Sequence, residues 1–499
     1  MKVIILAAGV GSRLRPITNT KPKCLVKVCG KSIIEWQIEA YLSAGIKQKE
    51  IYLLIGYKAS QIRELIGCKY NEINYIENEI YDKTNNMYSL KLGLDSIILE
   101  KKDLLIISNG DCIYDFSIVT SLLRNRNENL IPCEKDVYFE ENMKISIRDN
   151  YIEDISKKIL ETDFYGTSID IYKLSSDSVL KLKKIIENII AQDKNSWTEV
   201  ALDILFKNIQ AVPMIINGKK WMEIDNIDDL VTAETIFTKF SINQKKAIVL
   251  DLDGTVYLGN TPIPSAIEFI NNNATKYSFF FMTNNTSKSK NKYIQKLKEF
   301  GVHKVTEHQI ITPVLPMINY LNQNDIRNIY VIGTESLKEE LRMNRLNCLD
   351  EKNYEQADAV ILGYDTELNY EKIKRGSRLL HNKSIRYFAT HQDMVCPTEF
   401  GDIPDIGSFV KMFEIATNRK PELFFGKPNT ILLEKVLNKY SKNDIVVVGD
   451  RLYTDKILAD NSEIDFICVL SGETNREDIE KIEKWPSLII KELGDFKEI

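Results

Sequence analysis

The sequence predicts an α/β protein built on parallel sheets and holding more than one domain. Three observations predict it. Three times an apolar, strand-like run meets a glycine-bearing or acidic turn and then a helix-like stretch: KVIILAAGVGSRL at the N-terminus, KKAIVLDLDGTVYLG from Lys245, and DIVVVGDRLYTDKILAD from Asp444. That order is the pattern of sheets with active sites at strand ends. A length of 499 residues corresponds to roughly three domains at ~150 residues each. A composition of 44% hydrophobic and 27% charged residues is that of a globular chain, not of a disordered or collagenous one.

The same counts exclude several classes of function. Net charge is −5 with both signs well mixed, which gives no electrostatic case for nucleic acid or a membrane surface. No run reaches the roughly 18–20 apolar residues needed to span a bilayer, and the apolar turn in MKVIILAAGVGSRLRP is too short for a signal segment. The eight cysteines (24, 29, 68, 112, 133, 348, 396, 468) are scattered without a CxxC pair. They read as reduced thiols of a cytoplasmic enzyme, not as a disulfide frame or a zinc site. Only four histidines occur, at 303, 308, 381 and 391, so the first half works without imidazole. His303, His308 and His381 lie in polar surroundings and take no role.

Val3 to Leu6 and Ala247 to Leu250 are continuous apolar runs, as expected of strands covered on both faces. The second run follows the polar SINQKK. Before it, DNIDDLVTAETIFTKF reads as a closing amphipathic helix capped by Asp225 or Asn226. A domain boundary is therefore expected near 243.

In the first half, LAAGVGSRLRPITNTKPKCLVKV gathers several phosphate-binding features. Gly9 and Gly11 let main-chain N–H groups approach an anion, and Arg13, Arg15 and Lys23 add positive charge. A glycine loop that leaves a buried strand toward a helix suits a triphosphate, although the GxG alone equally describes a tight turn. Asp111 in LLIISNGDCIYD and Asp225 in WMEIDNIDDL each follow an apolar strand. Carboxylates there can supply hard oxygen ligands to Mg²⁺; either aspartate alone is equally a turn or cap residue.

Gly9, Gly11, Arg13, Leu14, Pro16, Thr18, Pro22 and Lys23 together resemble the G-x-G-x-R-L-x-P-x-T…P-K signature of the nucleotidyltransferases that make NDP-sugars and related activated alcohols. Within that superfamily the chain looks most like the phosphocholine cytidylyltransferase-like branch. The likeness runs through SIIEWQIEAYLSAGI, through Tyr81, Asn85, Asn86, Tyr88, Ser89 and Leu90, and through Glu223-Ile224-Asp225. It covers residues 1–240 and implies a Rossmann-like fold. It also implies attack by a phosphate or phosphonate oxygen on the α-phosphorus of CTP or another NTP, with release of pyrophosphate. The implied nucleotide-binding residues are Ala8, Gly9, Gly11, Arg13, Lys23, Asn86 and Ser89. Arg13 and Lys23 would be catalytic, and Asp111 and Asp225 would hold Mg²⁺. Such catalysis by positioning and charge neutralisation needs no histidine. The other cytidylyltransferase superfamily uses an HxGH motif and is excluded, because no histidine precedes 303. Choline recognition needs an aromatic cage, but Met143 and Ala201 stand where the choline enzymes carry cage aromatics. Trp197 is a substrate-facing candidate that cannot form a cage alone. The expected acceptor is therefore a small polyol phosphate such as glycerol phosphate, or a phosphonate.

In the second half, VLDLDGTVYLG sets Asp251 and Asp253 two apart after a strand, which puts both carboxyls on one side of an extended chain. One can attack phosphorus while the other handles the leaving-group proton. A lone DxD would as often be a surface turn. Here FFFMTNNTS adds Thr283 and Asn284 as phosphate-binding hydroxyl and amide, FGKP adds Lys427, and VVVGDRLYTD adds Asp450 and Asp455.

The set resembles the haloacid dehalogenase-like (HAD) phosphatases over residues 245–499. The resemblance implies Asp251 as a nucleophile forming an aspartyl-phosphate, Asp253 as general acid/base, and Thr283 and Lys427 on the phosphate. It implies Mg²⁺ held by Asp251, the Asp253 backbone carbonyl and Asp450, with Asp455 orienting the metal shell. ADAVILGYDTELNYEKI, RYFATHQDMVCP and DIGSFVKMFEIATNRKPELFFGKP resemble the NagD and phosphoglycolate/pyridoxal phosphatase group, which carries an α/β cap between its second and third motifs. Phosphatases of this group often pair, so the resemblance admits a homodimer. The expected division is a nucleotidyltransferase at 1–243, a Rossmann-like phosphatase core at 244–324 and 425–499, and an inserted cap at 325–424. Where that group has Thr-Asn-x-Asp, this chain has Thr390-His391-Gln392-Asp393. His391 is either a substrate-facing variation or a hydrogen-bonded junction residue.

The leading reading is a bifunctional enzyme. One half would transfer a cytidylyl group to a small phosphorylated alcohol, and the other would hydrolyse a small phosphate monoester, in surface polysaccharide precursor synthesis. The alternatives are a sugar-1-phosphate nucleotidyltransferase fused to a housekeeping phosphatase, or a second half that binds a phosphate ligand without turnover.

Overall fold

The computed structural model describes residues 1–396 and 401–498; Pro397, at the end of RYFATHQDMVCP, lies outside them. Two compact units form, one from Met1–Phe237 with Arg476–Trp485, the other from Thr238–Asn475 with Pro486–Ile499. The sequence reading differs on two points: it sets the boundary near 243 and keeps 425–499 together. Residues 476–485 join the first unit because Arg476 and Glu480 are buried and find their charged partners there, in Glu234 and Lys21.

The first unit is a ten-stranded sheet. At its centre Lys2–Ala7 lies parallel to Ile51–Ile55 on one side and to Leu104–Asn109 on the other. Side chains alternate along the first strand. Val3, Ile5 and Ala7 enter one apolar cluster and Ile4 and Leu6 another, which is why the run reads as uninterrupted hydrophobic sequence. Beyond Leu104–Asn109 the sheet turns antiparallel through Ile171–Ser175. A separate two-stranded ribbon pairs Cys112–Tyr114 with Trp221–Glu223. The helix Ile227–Phe237 follows, and Asn226 caps it by accepting the Asp229 N–H at 3.0 Å.

The second unit has two parallel sheets. Six strands run in the spatial order Ile310–Ile311, Ser278–Met282, Ala247–Asp251, Ile445–Gly449, Asp465–Val469, Leu488–Ile490. The chain between the first and fourth of these builds a five-stranded parallel sheet of its own, from Asn328–Ile332 to Leu423–Phe424. The α/β architecture is thus the one the sequence predicts. None of the eight cysteines forms a disulfide. Among the described residues no helix is long and apolar enough to cross a membrane.

Candidate active sites

In the first unit the glycine loop leaves the end of Lys2–Ala7. Gly11 has φ +68°, and a Cβ on it would lie 2.6 Å from the Lys23 Cβ, so only glycine suits the position. The close approach brings Lys23 over the acidic ribbon. Its Nζ donates to Asp111 Oδ2 at 2.9 Å and to Asp225 Oδ1 at 2.8 Å, while Arg13 Nη1 donates to Asp225 Oδ2 at 2.9 Å. The two aspartates, more than a hundred residues apart in sequence, meet through the ribbon. Cys112 stands opposite Glu223, and the Ile224 N–H donates to the Asp111 carbonyl at 3.0 Å.

Electrostatics in this cluster are set by burial against pairing. Burial disfavours the Lys23 ammonium, but the Asp111 and Asp225 carboxylates outweigh it and hold its pKa above the ordinary lysine value. Burial would likewise raise Asp225, but Lys23 and then Arg13 hold it below the usual carboxylate range. Glu223 is pushed up to about 9, first by burial and then by the Asp170 and Asp111 carboxylates. Asp170 rises to about 7 through burial and the nearby Glu199. Oxygens of Asp111, Glu223 and Asp225 converge within 4.8 Å of one another. An all-oxygen set of this kind suits a hard divalent cation, and the Lys23 ammonium bonded to two of the three carboxylates shows that the cluster accepts positive charge.

A cavity of about 360 Å³ opens in front of the cluster, and every predicted nucleotide-binding residue lines it: Ala8, Gly9, Gly11, Arg13, Lys23, Asn86 and Ser89. Asn86 Oδ1 accepts the Thr198 N–H at 2.8 Å and Ser89 Oγ accepts from Asn78 Nδ2 at 3.1 Å, so both are held by neighbours. Arg15 is exposed and lies outside the cavity wall. Met143 and the half-exposed Trp197 line the cavity, whereas Ala201 is packed into the core behind it. Among the described residues the lining aromatics are Tyr81 and Trp197. Glu223, quoted from sequence only within Glu223-Ile224-Asp225 and given no role there, is a member of the cluster. Its signal is the i, i+2 spacing to Asp225, which puts both on one side of an extended segment. Asp170 and Glu199 carry no local signal at all.

In the second unit three adjacent parallel strands deliver the predicted residues to one sheet edge. Asp251 ends Ala247–Asp251, Thr283 follows Ser278–Met282, and Asp450 follows Ile445–Gly449. Gly254 has φ +92°, and its absent side chain makes room for Asp450, whose Oδ2 would lie 2.3 Å from a Cβ there. Lys427 is buried between two carboxylates, bonded to Asp251 and donating to Asp455 Oδ1 at 2.6 Å. A π-helical turn over Leu452–Lys456 swings Asp455 back beneath the strand end. Asp251, Asp450 and Asp455 present oxygens within 4.8 Å of one another. Asp450 Oδ1 is buried with no hydrogen-bond partner, an orphaned acceptor that a cation would satisfy. Asp450 is pushed up to about 7 by burial and then by the Asp251 and Asp455 carboxylates. Asp455 rises to about 6 because burial outweighs the pull of Lys427, with Asp251 adding to the rise.

Asp253 Oδ1 accepts the Gly259 N–H at 3.0 Å, and its side chain faces a cavity of about 200 Å³ shared with Asp251, Thr283, Asn284 and Lys427. Thr283 Oγ1 accepts the Asn285 N–H at 3.2 Å. Asn284 departs from the phosphate-amide expectation. Its Nδ2 donates to Asp393 Oδ2 at 3.0 Å and its Oδ1 accepts the Lys427 N–H at 2.7 Å. Nδ2 also lies 3.3 Å from the Lys427 carbonyl, so the amide is spent on Asp393 and on the Lys427 backbone. His391 lines the same cavity but is buried. Its Nδ1 accepts the Asp393 N–H at 3.4 Å, and its Nε2 stands 3.7 Å from Asp405 Oδ1. Arg451 and Asp405 also line the cavity and were not singled out from sequence.

Both halves of the chain match known families. The nucleotidyl transferase family matches residues 2–133. The haloacid dehalogenase-like hydrolases match residues 248–347, and a second HAD-hydrolase-like family matches 424–496. The acid sugar phosphatase of Staphylococcus haemolyticus is 31% identical over 253 residues, which is 50% of this chain and 94% of that protein. The chain belongs to the haloacid dehalogenase-like hydrolases, with a nucleotidyl transferase fused ahead of the phosphatase. The 5'-nucleotidase YutF of Bacillus subtilis is 30% identical to the phosphatase half over 255 residues, covering 50% of this chain and 97% of that protein. A 4-nitrophenylphosphatase of Thermotoga maritima shares 35% identity at a TM-score of 0.48, covering 52% of this chain and 98% of the other. NagD of Escherichia coli K-12 shares 25% identity at a TM-score of 0.46, covering 50% and 98%.

Proposed function

We propose that the transferase unit moves a cytidylyl group from CTP to a small phosphorylated alcohol, a polyol phosphate such as glycerol phosphate or a phosphonate, and releases pyrophosphate. The observation that carries this reading is Lys23 held by Asp111 and Asp225 beside the Gly9–Gly11 loop, at the mouth of one cavity. Backbone N–H groups of the loop and the Arg13 and Lys23 cations receive the triphosphate and offset charge gathering on the α-phosphoryl oxygens. An acceptor oxygen bonds to the α-phosphorus as the bond to pyrophosphate breaks. Mg²⁺ bound by Asp111 and Asp225, with Glu223 beside them, would neutralise phosphate charge. Among the described residues only Tyr81 and Trp197 are aromatic in the lining, which supports a polyol phosphate over phosphocholine as acceptor. CTP rests on resemblance to the branch. Pyrophosphate release over a panel of NTPs and acceptors tests this. Turnover of hexose 1-phosphates with no turnover of polyol phosphates would refute it in favour of a sugar-1-phosphate enzyme.

For the phosphatase unit, Asp251 attacks the phosphorus of a small monoester while Asp253 gives its proton to the departing alkoxide. Asp253 then takes a proton from water, which opens the aspartyl-phosphate and frees phosphate. Lys427 and Thr283 hold the phosphoryl oxygens, and Asp251 and Asp450 would hold Mg²⁺, which lowers the charge repulsion met by an anionic nucleophile. Relatives named as acid sugar phosphatases and a 5'-nucleotidase support a small sugar or polyol monoester as substrate. The two reactions suit successive or opposing steps in making an activated alcohol for a surface polysaccharide.

A further inference from the structure

We infer that residues 476–485, drawn from beyond the phosphatase motifs, are a working part of the transferase, with Glu480 and Arg476 as positioning residues for the loop that carries Lys23. The inference rests on the reading of Lys23 given above.

Lys23 begins a short 3₁₀ turn, Lys23–Leu25, on a loop whose two ends are Lys21 and Lys27. Glu480 grips both ends. Its Oε2 pairs with Lys21 Nζ at 2.8 Å, and its Oε1 accepts the Lys27 N–H at 3.2 Å. Arg476 closes the frame: Nη2 donates to the Lys27 carbonyl at 2.5 Å and to Glu234 Oε1 at 3.1 Å, while Nη1 lies 3.1 Å from Glu480 Oε1. Glu234 in turn accepts the Cys29 N–H at 2.9 Å, and Trp485 Nε1 lies 3.3 Å from each Glu234 oxygen. Both polar backbone groups of Lys27 are thus bonded to side chains of one distant segment.

These are not surface pairs of negligible worth. The side chains of Arg476, Glu234 and Glu480 are 2%, 1% and 3% exposed, and with Lys21 they form a balanced set of two acids and two bases. Removing one member strands a buried charge, which the loop relieves by moving. A shift of about 1 Å in a charge-neutralising group can cost on the order of 100-fold in rate, so a loosened loop shows itself in turnover.

The test uses the full chain, with Glu480→Ala, Glu480→Gln and Arg476→Lys, and Lys23→Met in parallel. Pyrophosphate release from CTP plus glycerol phosphate and phosphate release from 4-nitrophenyl phosphate are measured on each preparation. Glu480→Ala should lower the transferase kcat by about 10- to 100-fold with KM for CTP within about threefold, and leave phosphatase kcat within about twofold. Glu480→Gln, which keeps an acceptor for the Lys27 N–H, should fall between, and so should Arg476→Lys, which keeps the charge but not the fork. If Glu480→Ala does not accumulate folded, Glu480→Gln decides by the same ratio of activities. Transferase kcat unchanged, or both activities falling equally, would overturn the inference. Should Lys23→Met retain full turnover, the assignment of Lys23 fails and this inference with it. An inactive Lys23→Met beside a fully active Glu480→Ala refutes the inference alone.

Discussion

Replacing Lys427 with Met removes the ammonium lodged between Asp251 and Asp455. Asp455 titrates at about 6 with that ammonium in place, because burial already disfavours its charge. Without Lys427 the value rises further and the carboxyl keeps its proton to higher pH. The sign follows from linkage. Wild-type native Asp455 loses its proton around pH 6, so well above that pH both states hold it ionised and it adds no slope. In the variant the native state holds one proton that the unfolded state, with a carboxyl pKa near 3.9, does not. Wherever the variant keeps that proton, its stability relative to wild type falls by up to about 1.4 kcal/mol per pH unit as pH rises above about 6. The measurement is urea unfolding at pH 6, 7 and 8 with metal chelated. All four tryptophans (36, 197, 221, 485) belong to the transferase unit. A circular dichroism transition that leaves tryptophan emission unchanged thus reports the phosphatase unit. A variant-minus-wild-type difference that stays flat from pH 6 to 8 would show that Asp455 does not hold the extra proton.

Asp251→Asn should remove phosphate release by at least about 1,000-fold while pyrophosphate release continues, since the nucleophile is lost; trapped aspartyl-phosphate in wild type but not in the variant is the second readout. Asp225→Asn frees Lys23 and Arg13 from a shared partner and should cut transferase kcat by about 100-fold, followed by pyrophosphate release at saturating Mg²⁺. Glu223 keeps its proton in the folded state up to about pH 9, so native stability declines as pH climbs from its unfolded value toward 9. Glu223→Gln should therefore leave stability unchanged at pH 4 and raise it at pH 8 in chelator, as read by thermal melting. Chelation of divalent cations should silence both activities, and Mg²⁺ should restore both; activity that survives exhaustive chelation would overturn both carboxylate metal assignments.

Sequence made visible what lies beside strand ends. The apolar runs Val3 to Leu6 and Ala247 to Leu250 announced buried central strands because both of their faces are covered, and Asp251, Thr283 and Asp450 were placed by the strands before them. What stayed hidden depends on partners far along the chain. Asn284 has the chemistry of a phosphate ligand, but its amide is consumed by the Lys427 backbone, 143 residues away. Glu223, Asp170 and Glu199 reach the Lys23 cluster from separate elements, and only folding reveals that they shift one another's protonation. Nothing in the charged run REDIEKIEKW marks Arg476 and Glu480 for burial, yet both are buried.

The interrupted make-up of the first unit sets an order in time. A ribosome finishes residue 237 long before it reaches 485; at about 5–20 residues per second the gap of about 250 residues lasts roughly 12–50 s. Through that interval the nascent first unit carries Glu234 without Arg476, an acid whose burial awaits its counter-charge. The earlier-made unit therefore waits almost to the end of synthesis for its last segment, and a chain halted anywhere before Arg476 leaves it unfinished.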